Sequence, residues 1–275
     1  MSGRHTGEQH SHTVEGTDPQ LHVAVHEPER DAGLRPILLL HGFSSSSKLN
    51  WEDTGWLQAL LSAGRKVITV DLPGHGRSGA PEDLDSYTPS RIRADLLQIA
   101  FDAGVRPVQD GDPASGLDLI GYSLGSRLAW EFGATQPEIV HRIVLGGPNT
   151  ADPLAAFDIV AAQRYLADGT PIADESTAQL LKMALVLPSN NIFALLSLVQ
   201  AIKAEPYDPA EAVPHVPILL VAGENDERAA TMPDLAAIGS KSGALVEQLV
   251  IPGRNHTSAL TSRVFKQAAI EFLSV

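Results

Sequence analysis

Residues 121–125 read GYSLG, in which a serine stands between two glycines. The segment joins an apolar run, LDLIGY at 117–122, to a stretch whose apolar residues repeat at helical spacing from 124 to 132. A sharp strand-to-helix turn strains the backbone of its central residue and leaves no room for side chains at the two glycines. The serine hydroxyl then stands at the helix N-terminus, where the helix dipole favours developing negative charge. Ser123 is therefore the candidate nucleophile, and the alternative is an inert serine in a glycine-rich turn.

One of the ten histidines is placed to act as a base for Ser123. A serine hydroxyl is a weak nucleophile until a base takes its proton. His256 follows the last apolar run, at 246–251, so we expect it at the same edge of a parallel sheet as Ser123. The other nine lie in the polar N-terminal region, ahead of strands at the opposite sheet edge, or in loop motifs: His5, His10, His12, His22, His26, His141, His215, His41 and His75. We assign the base to His256, with a hydrogen-bonded loop histidine as the alternative.

The base in turn needs an acid that holds the imidazole in one tautomer. Asp226 lies just past the apolar run PILLVAG at 217–223, again at the expected carboxyl edge of the sheet. Glu224 and Glu227 compete for this role, as does Asp152 after the preceding strand. We favour Asp226 because it completes the chain order serine, aspartate, histidine.

Acyl transfer also needs two N–H donors for the negatively charged oxygen of its transition state. The backbone N–H of Leu124 is one natural donor, because it follows the nucleophile at the start of a helix. The second is expected in the loop LHGF at 40–43, where Gly42 lets the backbone approach and the N–H of Phe43 can point inward. His41 is expected to organise this loop by hydrogen bonding rather than to take part in the chemistry.

Short apolar runs alternate with helical patterns along the chain, which indicates an α/β fold with a parallel sheet and crossover helices. Near-continuous apolar runs, typical of strands covered on both faces, lie at 36–41, 66–71, 117–122, 142–147 and 217–223, with a last strand expected at 246–251. Helices are expected from Pro89 to Gly104, with Thr88 as the N-cap, after Ser123, and around 265–272. Leu21, Val23 and Val25 alternate with other residues and predict an edge strand, paired with residues 12–15 around a turn at 16–18.

In the region 151–213 strands and helices do not alternate. The region contains three helical patterns, around 154–166, 177–187 and 192–202, and no strand. We interpret it as a helical lid inserted over the carboxyl edge of the sheet, because it is much longer than one crossover requires. Ordinary crossover packing is the alternative. The core then comprises residues 1–150 and 214–275, and residues 1–11 are expected to form a flexible tail.

The composition excludes several kinds of protein. With 275 residues and a net charge of −13, the chain lacks the basic surface that nucleic acids and anionic membranes select, so we expect neither as a partner. It has no cysteine, which excludes disulfides and thiolate sites. The N-terminus lacks the apolar segment of a signal peptide, and no stretch is long and apolar enough to span a membrane. We expect a cytoplasmic protein.

Five motifs in this order resemble the α/β-hydrolase superfamily from about residue 21 to residue 275. They are LLLHGF at 38–43, DLPGHGRS at 71–78, GYSLG at 121–125, VAGENDE at 221–227 and PGRNH at 252–256. The resemblance implies a mostly parallel eight-stranded sheet with helices on both faces, the triad assigned above, no metal or organic cofactor, and hydrolysis through an acyl-enzyme. In that family DLPGHGRS is a structural turn, so His75 is not expected to be catalytic.

The same resemblance reduces the number of reactions that this chain is expected to catalyse. Epoxide hydrolases and haloalkane dehalogenases of this family use aspartate where Ser123 stands. Carbon–carbon bond hydrolases share the serine but typically carry an aromatic residue soon after the histidine, whereas His256 is followed by Thr257, Ser258 and Ala259. The expected activity is hydrolysis of a small-molecule carboxylic ester. Thioesterase, lactonase, perhydrolase and carbon–carbon bond hydrolase remain alternatives, as does a non-catalytic ligand-binding protein.

Overall fold

An eight-stranded sheet forms the centre of the computed structural model, which describes residues 9–13, 17 and 19–275. The strands, in chain order, are β1 (Gln9–Thr13), β2 (His22–His26), β3 (Ile37–Leu40), β4 (Val67–Val70), β5 (Leu117–Tyr122), β6 (Val140–Gly146), β7 (Ile218–Gly223) and β8 (Val246–Ile251). In space they are ordered β1-β2-β4-β3-β5-β6-β7-β8. The pairs from β4 to β8 are all parallel, and β2 is antiparallel to both of its neighbours. The predicted mostly parallel α/β sheet is confirmed.

Nine helices in the described residues surround the sheet. They are α1 (Trp56–Ser62), α2 (Pro89–Asp102), α3 (Leu124–Thr135), α4 (Ile159–Asp168), α5 (Glu175–Val186), α6 (Ile192–Ala204), α7 (Met232–Lys241), α8 (His256–Ala259) and α9 (Arg263–Phe272). In the part of the chain that the structure describes, none is long and apolar enough to cross a lipid bilayer.

The central strands are covered on both faces, which explains their near-continuous apolar sequences. All four residues of β3 are buried, and successive side chains point to opposite faces. Leu38 and Leu40 pack in the cluster that contains apolar residues of α2, α3 and α7. Ile37 and Leu39 pack in the opposite cluster, with apolar residues of α1 and α9. The strands that end at the candidate site are thus packed between two apolar cores.

Two predictions for the N-terminal region are wrong. Strand β2 is not at the edge of the sheet, because β1 pairs with it on one side and β4 on the other. The flexible tail predicted for residues 1–11 is also incorrect for residues 9–11, which belong to β1. The partner strand predicted at 12–15 is instead Gln9–Thr13, with His12 opposite Val23. Residues 1–8, 14–16 and 18 lie outside the described residues, and with them part of the turn predicted at 16–18.

The predicted helices are present, with one shift of boundary. Thr88 caps α2 by accepting a hydrogen bond from the N–H of Arg91, as its position before Pro89 predicts. The first helix of the inserted region begins at Ile159 instead of Leu154, because a 3-10 turn occupies 153–156 and Asp158 then caps α4. Helices α1, α7 and α8 were not predicted. Between β6 and β7 the chain forms α4, α5 and α6 and no strand.

A buried ion pair joins the ends of the central strands that face away from Ser123. Arg65 lies just before β4, and its Nη2 is 2.5 Å from the Oδ2 of Asp118, which is the second residue of β5. Both side chains are nearly inaccessible, at 3% and 0% exposure. Arg65 also donates hydrogen bonds to the carbonyls of Arg35 and Leu273. It therefore holds β3, β4, β5 and the C-terminus together.

We expect Arg65→Met to lower the free energy of unfolding by about 3 kcal/mol, because it removes the arginine from the buried Asp118 carboxylate and leaves it only the contact with His141 at 3.2 Å. Urea denaturation followed by circular dichroism measures this loss. Lys48→Met is the control, since it removes an exposed ion pair with Asp53 and should leave the urea midpoint nearly unchanged. Equal shifts in the two variants would contradict the importance of the buried pair.

Candidate active site

Ser123 occupies the turn between β5 and α3 in a strained backbone conformation. Its φ is 55° and its ψ is −113°. Ser123 and Ser44 are the two non-glycine residues in the described part of the chain with positive φ, a region that L-residues with larger side chains rarely adopt. The N–H of Ser123 donates to the carbonyl of Gly146 on β6, 2.9 Å away. This bond anchors the turn to the neighbouring strand, as a site that stores strain requires.

The glycines of GYSLG are required by close backbone packing. A Cβ on Gly121 would overlap the carbonyl oxygen of Gly125, and a Cβ on Gly125 would overlap that of Leu40 in β3. Gly42 is less confined, because its Cβ would lie 3.4 Å from the Cβ of Ser123, which is ordinary contact. The first helical turn of α3 therefore rests directly on the end of β3.

His256 and Asp226 form a hydrogen-bonded pair. The Nδ1 of His256 is 2.9 Å from Oδ2 and 3.0 Å from Oδ1 of Asp226. The carboxylate is fully buried, whereas the imidazole retains 16% exposure. Asp226 also accepts the N–H of Arg228 at 3.1 Å, which orients the carboxylate. A neutral imidazole that donates from Nδ1 leaves Nε2 as an acceptor.

Of the three competing acids, two have other partners and the third is exposed. Glu224 is exposed and accepts a hydrogen bond from the N–H of Gly253. Glu227 is also exposed. Asp152 lies 2.6 Å from the guanidinium of Arg127. Of the four acids considered from the sequence, Asp226 is the one that the structure brings to His256.

Two residues that the sequence analysis missed hold the His256 loop. Tyr122, the neighbour of Ser123, donates its hydroxyl hydrogen bond to the backbone carbonyl of His256. Burial, with a further contribution from Asp226, raises the pKa of Tyr122, so the hydroxyl stays protonated and can donate. Gly147 has φ of +59°, and a Cβ there would lie 2.7 Å from Cε1 of His256. No local sequence signal identifies this role of Tyr122, because the residue it contacts lies 134 positions away.

Two neutral histidines organise the loop that follows β3. His41 contacts the carbonyl of Gly42 through Nδ1 at 2.8 Å and accepts the N–H of Leu72 at Nε2. His75 accepts the N–H of Ser44 at Nε2. Burial lowers the pKa of His75 to about 3, so it remains a neutral acceptor. His41 thus makes hydrogen bonds within the loop, as the sequence predicts.

The contact between His41 and Gly42 also orients the next peptide. In a trans peptide the carbonyl and the N–H point in opposite directions. Since His41 holds the carbonyl of Gly42, the N–H of Phe43 in the same peptide points the other way.

A cavity of about 270 Å³ connects these groups. Ser123, His256, Phe43 and Leu124 all line it. The region inserted after β6 contributes apolar side chains, namely Leu154, Leu180 and Met183. Within the described residues no three or more His, Asp or Glu side chains are grouped so as to hold a metal ion. The hydroxyl-bearing Ser123 and the imidazole of His256 thus face one cavity, together with residues 43 and 124.

Comparison with known proteins identifies relatives of this architecture. A family model described as alpha/beta hydrolase fold matches residues 35–232. The chain is 36% identical over 109 residues to a putative 2-succinyl-6-hydroxy-2,4-cyclohexadiene-1-carboxylate synthase of Bacillus subtilis, covering 40% of this chain and 35% of that one. It is 31% identical over 116 residues to an epoxide hydrolase of Caballeronia sordidicola, covering 42% and 31%.

A third relative is the 2-hydroxy-6-oxononadienedioate/2-hydroxy-6-oxononatrienedioate hydrolase of Burkholderia vietnamiensis. It is 31% identical over 177 residues, which cover 60% of this chain and 56% of that one. The matched segments thus span between about a third and just over half of the lengths of these relatives.

Solved structures share the fold over nearly the whole chain. A carboxylesterase structure from the thaumarchaeon Nitrososphaera gargenis superposes with a TM-score of 0.72 at 15% identity, covering 96% of this chain and 98% of that one. An epoxide hydrolase mutant from Vigna radiata gives 0.71 at 18% identity, covering 97% and 98%. At these identities the likeness establishes the fold alone.

We expect Gly125→Ala to destabilise the protein by about 3 kcal/mol, at the upper end of the usual cost of overpacking, because its methyl group must displace the backbone of β3. Gly42→Ala is the matched control, since its methyl group makes only ordinary contacts and should cost less than about 1 kcal/mol. Thermal and urea unfolding of both variants test the difference. A Gly125→Ala protein as stable as Gly42→Ala would refute the packing argument.

Proposed function

The chain belongs to the α/β-hydrolase family, and from that premise we propose that it is a serine hydrolase that cleaves carboxylic esters through an acyl-enzyme on Ser123. One observation carries the proposal. A serine at a strained strand-to-helix turn shares a cavity with a histidine that is hydrogen-bonded to a buried aspartate. This combination supplies a nucleophile, a base and the acid that orients the base.

Acylation begins with attack of the Ser123 hydroxyl oxygen on the ester carbonyl carbon. His256 accepts the hydroxyl proton at Nε2, and Asp226 stabilises the resulting imidazolium through Nδ1. Collapse of the tetrahedral intermediate breaks the carbon–oxygen bond to the leaving alcohol. His256 then gives its proton to the alcohol oxygen, and the acyl group remains on Ser123.

Deacylation repeats these steps with water as the nucleophile. His256 takes a proton from the water, whose oxygen attacks the acyl carbonyl. The second tetrahedral intermediate breaks its bond to Ser123, which recovers a proton from His256. The products are a carboxylic acid and an alcohol, and the enzyme returns to its initial state.

The negative charge of both intermediates falls on the former carbonyl oxygen. We assign its stabilisation to the backbone N–H groups of Phe43 and Leu124, which both line the cavity. The peptide between Gly42 and Phe43 is oriented by His41, and Leu124 begins α3, where the helix dipole adds positive potential. Removing one well-placed donor of this kind costs about 3–4 kcal/mol of transition-state stabilisation.

The other reactions of the family fit this site less well. Epoxide hydrolysis in this family uses an aspartate at the position of Ser123. Carbon–carbon bond hydrolysis is the second candidate, because the hydrolase of Burkholderia vietnamiensis is similar over 60% of this chain. The absence of an aromatic residue at Thr257 to Ala259 favours ester cleavage over it. Thioesters, lactones and peracids would react on the same groups, whereas a purely ligand-binding role would not require all three members of the triad.

The inserted helices are proposed to act as a lid that selects the substrate. Leu154, Leu180 and Met183 bring an apolar surface to the cavity that contains Ser123. Met183 is also 41% exposed, so it lies where the cavity meets solvent. An ester with an apolar acyl or alcohol group would bury its chain against these residues.

We expect a fluorophosphonate probe to label the wild-type protein and to fail to label Ser123→Ala, because the probe reacts with an activated serine. Hydrolysis of p-nitrophenyl butyrate should fall at least about 1,000-fold in the same variant. Ser45→Ala, which removes another cavity serine, should keep the label. Labelling of a Ser123→Ala protein with intact circular dichroism would exclude Ser123 as the nucleophile.

We expect Asp226→Asn to lower kcat by about 100- to 10,000-fold, because an amide does not hold His256 in the tautomer that accepts at Nε2. Steady-state hydrolysis of p-nitrophenyl butyrate measures the change. Glu224→Gln is the matched control and should alter kcat by less than about twofold, since that carboxylate faces Gly253 instead of His256. A larger loss in Glu224→Gln than in Asp226→Asn would reassign the acid.

A further inference from the structure

Three of the side chains that line the cavity belong to arginine or aspartate residues. Two of them, Arg127 and Asp152, neutralise each other at 2.6 Å, with each side chain only 5% exposed. Arg127 is further occupied by the carboxylate of Glu131 at 3.3 Å and the backbone carbonyl of Glu205 at 2.6 Å. This guanidinium is therefore committed to the protein and is not available to a ligand.

The third charged residue is Arg228, on the short turn that follows β7. Its backbone N–H donates to Asp226, which fixes its position beside the pair of Asp226 and His256. The residue is half-buried. Among residues 9–13, 17 and 19–275, no carboxylate forms an ion pair with its guanidinium, and no group accepts a hydrogen bond from it.

Arg228 is thus the one charged side chain of the cavity lining that has no ion-pair partner among the described residues, in a chain whose net charge is −13. A guanidinium partly removed from water is stabilised by a hydrogen-bonded anion. Its planar arrangement of N–H groups can donate two parallel hydrogen bonds to one carboxylate. A single cation also suits a monoanion better than a doubly charged phosphate. The position of Arg228 beside Asp226 places this anion at the His256 end of the cavity.

We propose that the substrate carries a carboxylate in addition to the ester, and that Arg228 binds this carboxylate. The proposal rests on the ester hydrolysis assigned above and specifies its substrate class, namely a monoester of a dicarboxylic acid or an acylated hydroxy acid. The apolar side chains Leu154, Leu180 and Met183 contact the hydrocarbon part of the same molecule.

Two pairs of esters test the effect of the carboxylate. The members of each pair have the same length and differ in whether the chain ends in a carboxylate. Monomethyl glutarate and methyl hexanoate differ at the end of the acyl chain, and 4-acetoxybutanoate and pentyl acetate differ at the end of the alcohol chain. Titration calorimetry with Ser123→Ala protein measures binding without turnover. We expect the charged member of at least one pair to bind about 10- to 100-fold more tightly than its neutral partner, as for a hydrogen-bonded charge pair.

Adding Arg228→Gln to the Ser123→Ala protein should abolish this preference. Arg228→Lys in the same protein should keep part of it, because lysine retains the positive charge but cannot donate two parallel hydrogen bonds. Arg254→Gln is the matched control. Arg254 is exposed, lies two residues before His256 and does not line the cavity. Its removal should leave the preference for the charged ester intact.

Equal affinities for the charged and neutral members of both pairs would overturn the proposal. So would a preference that survives Arg228→Gln, or one that Arg254→Gln removes as strongly. Turnover of the same four esters by the wild-type protein is measured in parallel by pH-stat. Failure to hydrolyse any ester argues against the proposed reaction alone, because the binding result stands independently of it.

Discussion

The close packing of Gly125 on the carbonyl of Leu40 fixes the geometry on which the candidate site depends. Because no side chain separates α3 from β3, the first turn of the helix is held against the loop that contains Phe43. Ser123, two residues before this contact, has positive φ, and its N–H is bound to the carbonyl of Gly146. The proposed nucleophile and both proposed N–H donors are thus positioned by contacts between backbone atoms.

A second set of contacts positions the imidazole of His256. These contacts come from the loops that follow β7 and β8. Asp226 follows β7 and His256 follows β8, so the pairing of these two neighbouring parallel strands brings the two side chains within hydrogen-bond distance. Tyr122 then links the His256 loop to β5 through one hydrogen bond. Three loops that are distant in sequence are joined in this way at one edge of the sheet.

The sequence was informative where a local pattern has one structural solution. The apolar runs identified six strands, and GYSLG with its flanking patterns identified the turn at Ser123. It was less informative where the outcome depends on distant contacts. Alternation at 21–25 indicates a strand but does not reveal whether β1 pairs beyond it. The link from Tyr122 to His256 spans 134 residues, so no local signal encodes it.

The contacts of Arg127 have a consequence for how this architecture diversifies. The guanidinium binds Asp152, at the start of the inserted region, and the carbonyl of Glu205, just after α6. The segments before α4 and after α6 are therefore both bound to α3, the helix that follows Ser123. The backbone contacts that position Ser123 and Gly125 come from Gly146 and Leu40, outside these three helices. Substitutions within the helices can therefore reshape the wall of the cavity and leave those contacts in place.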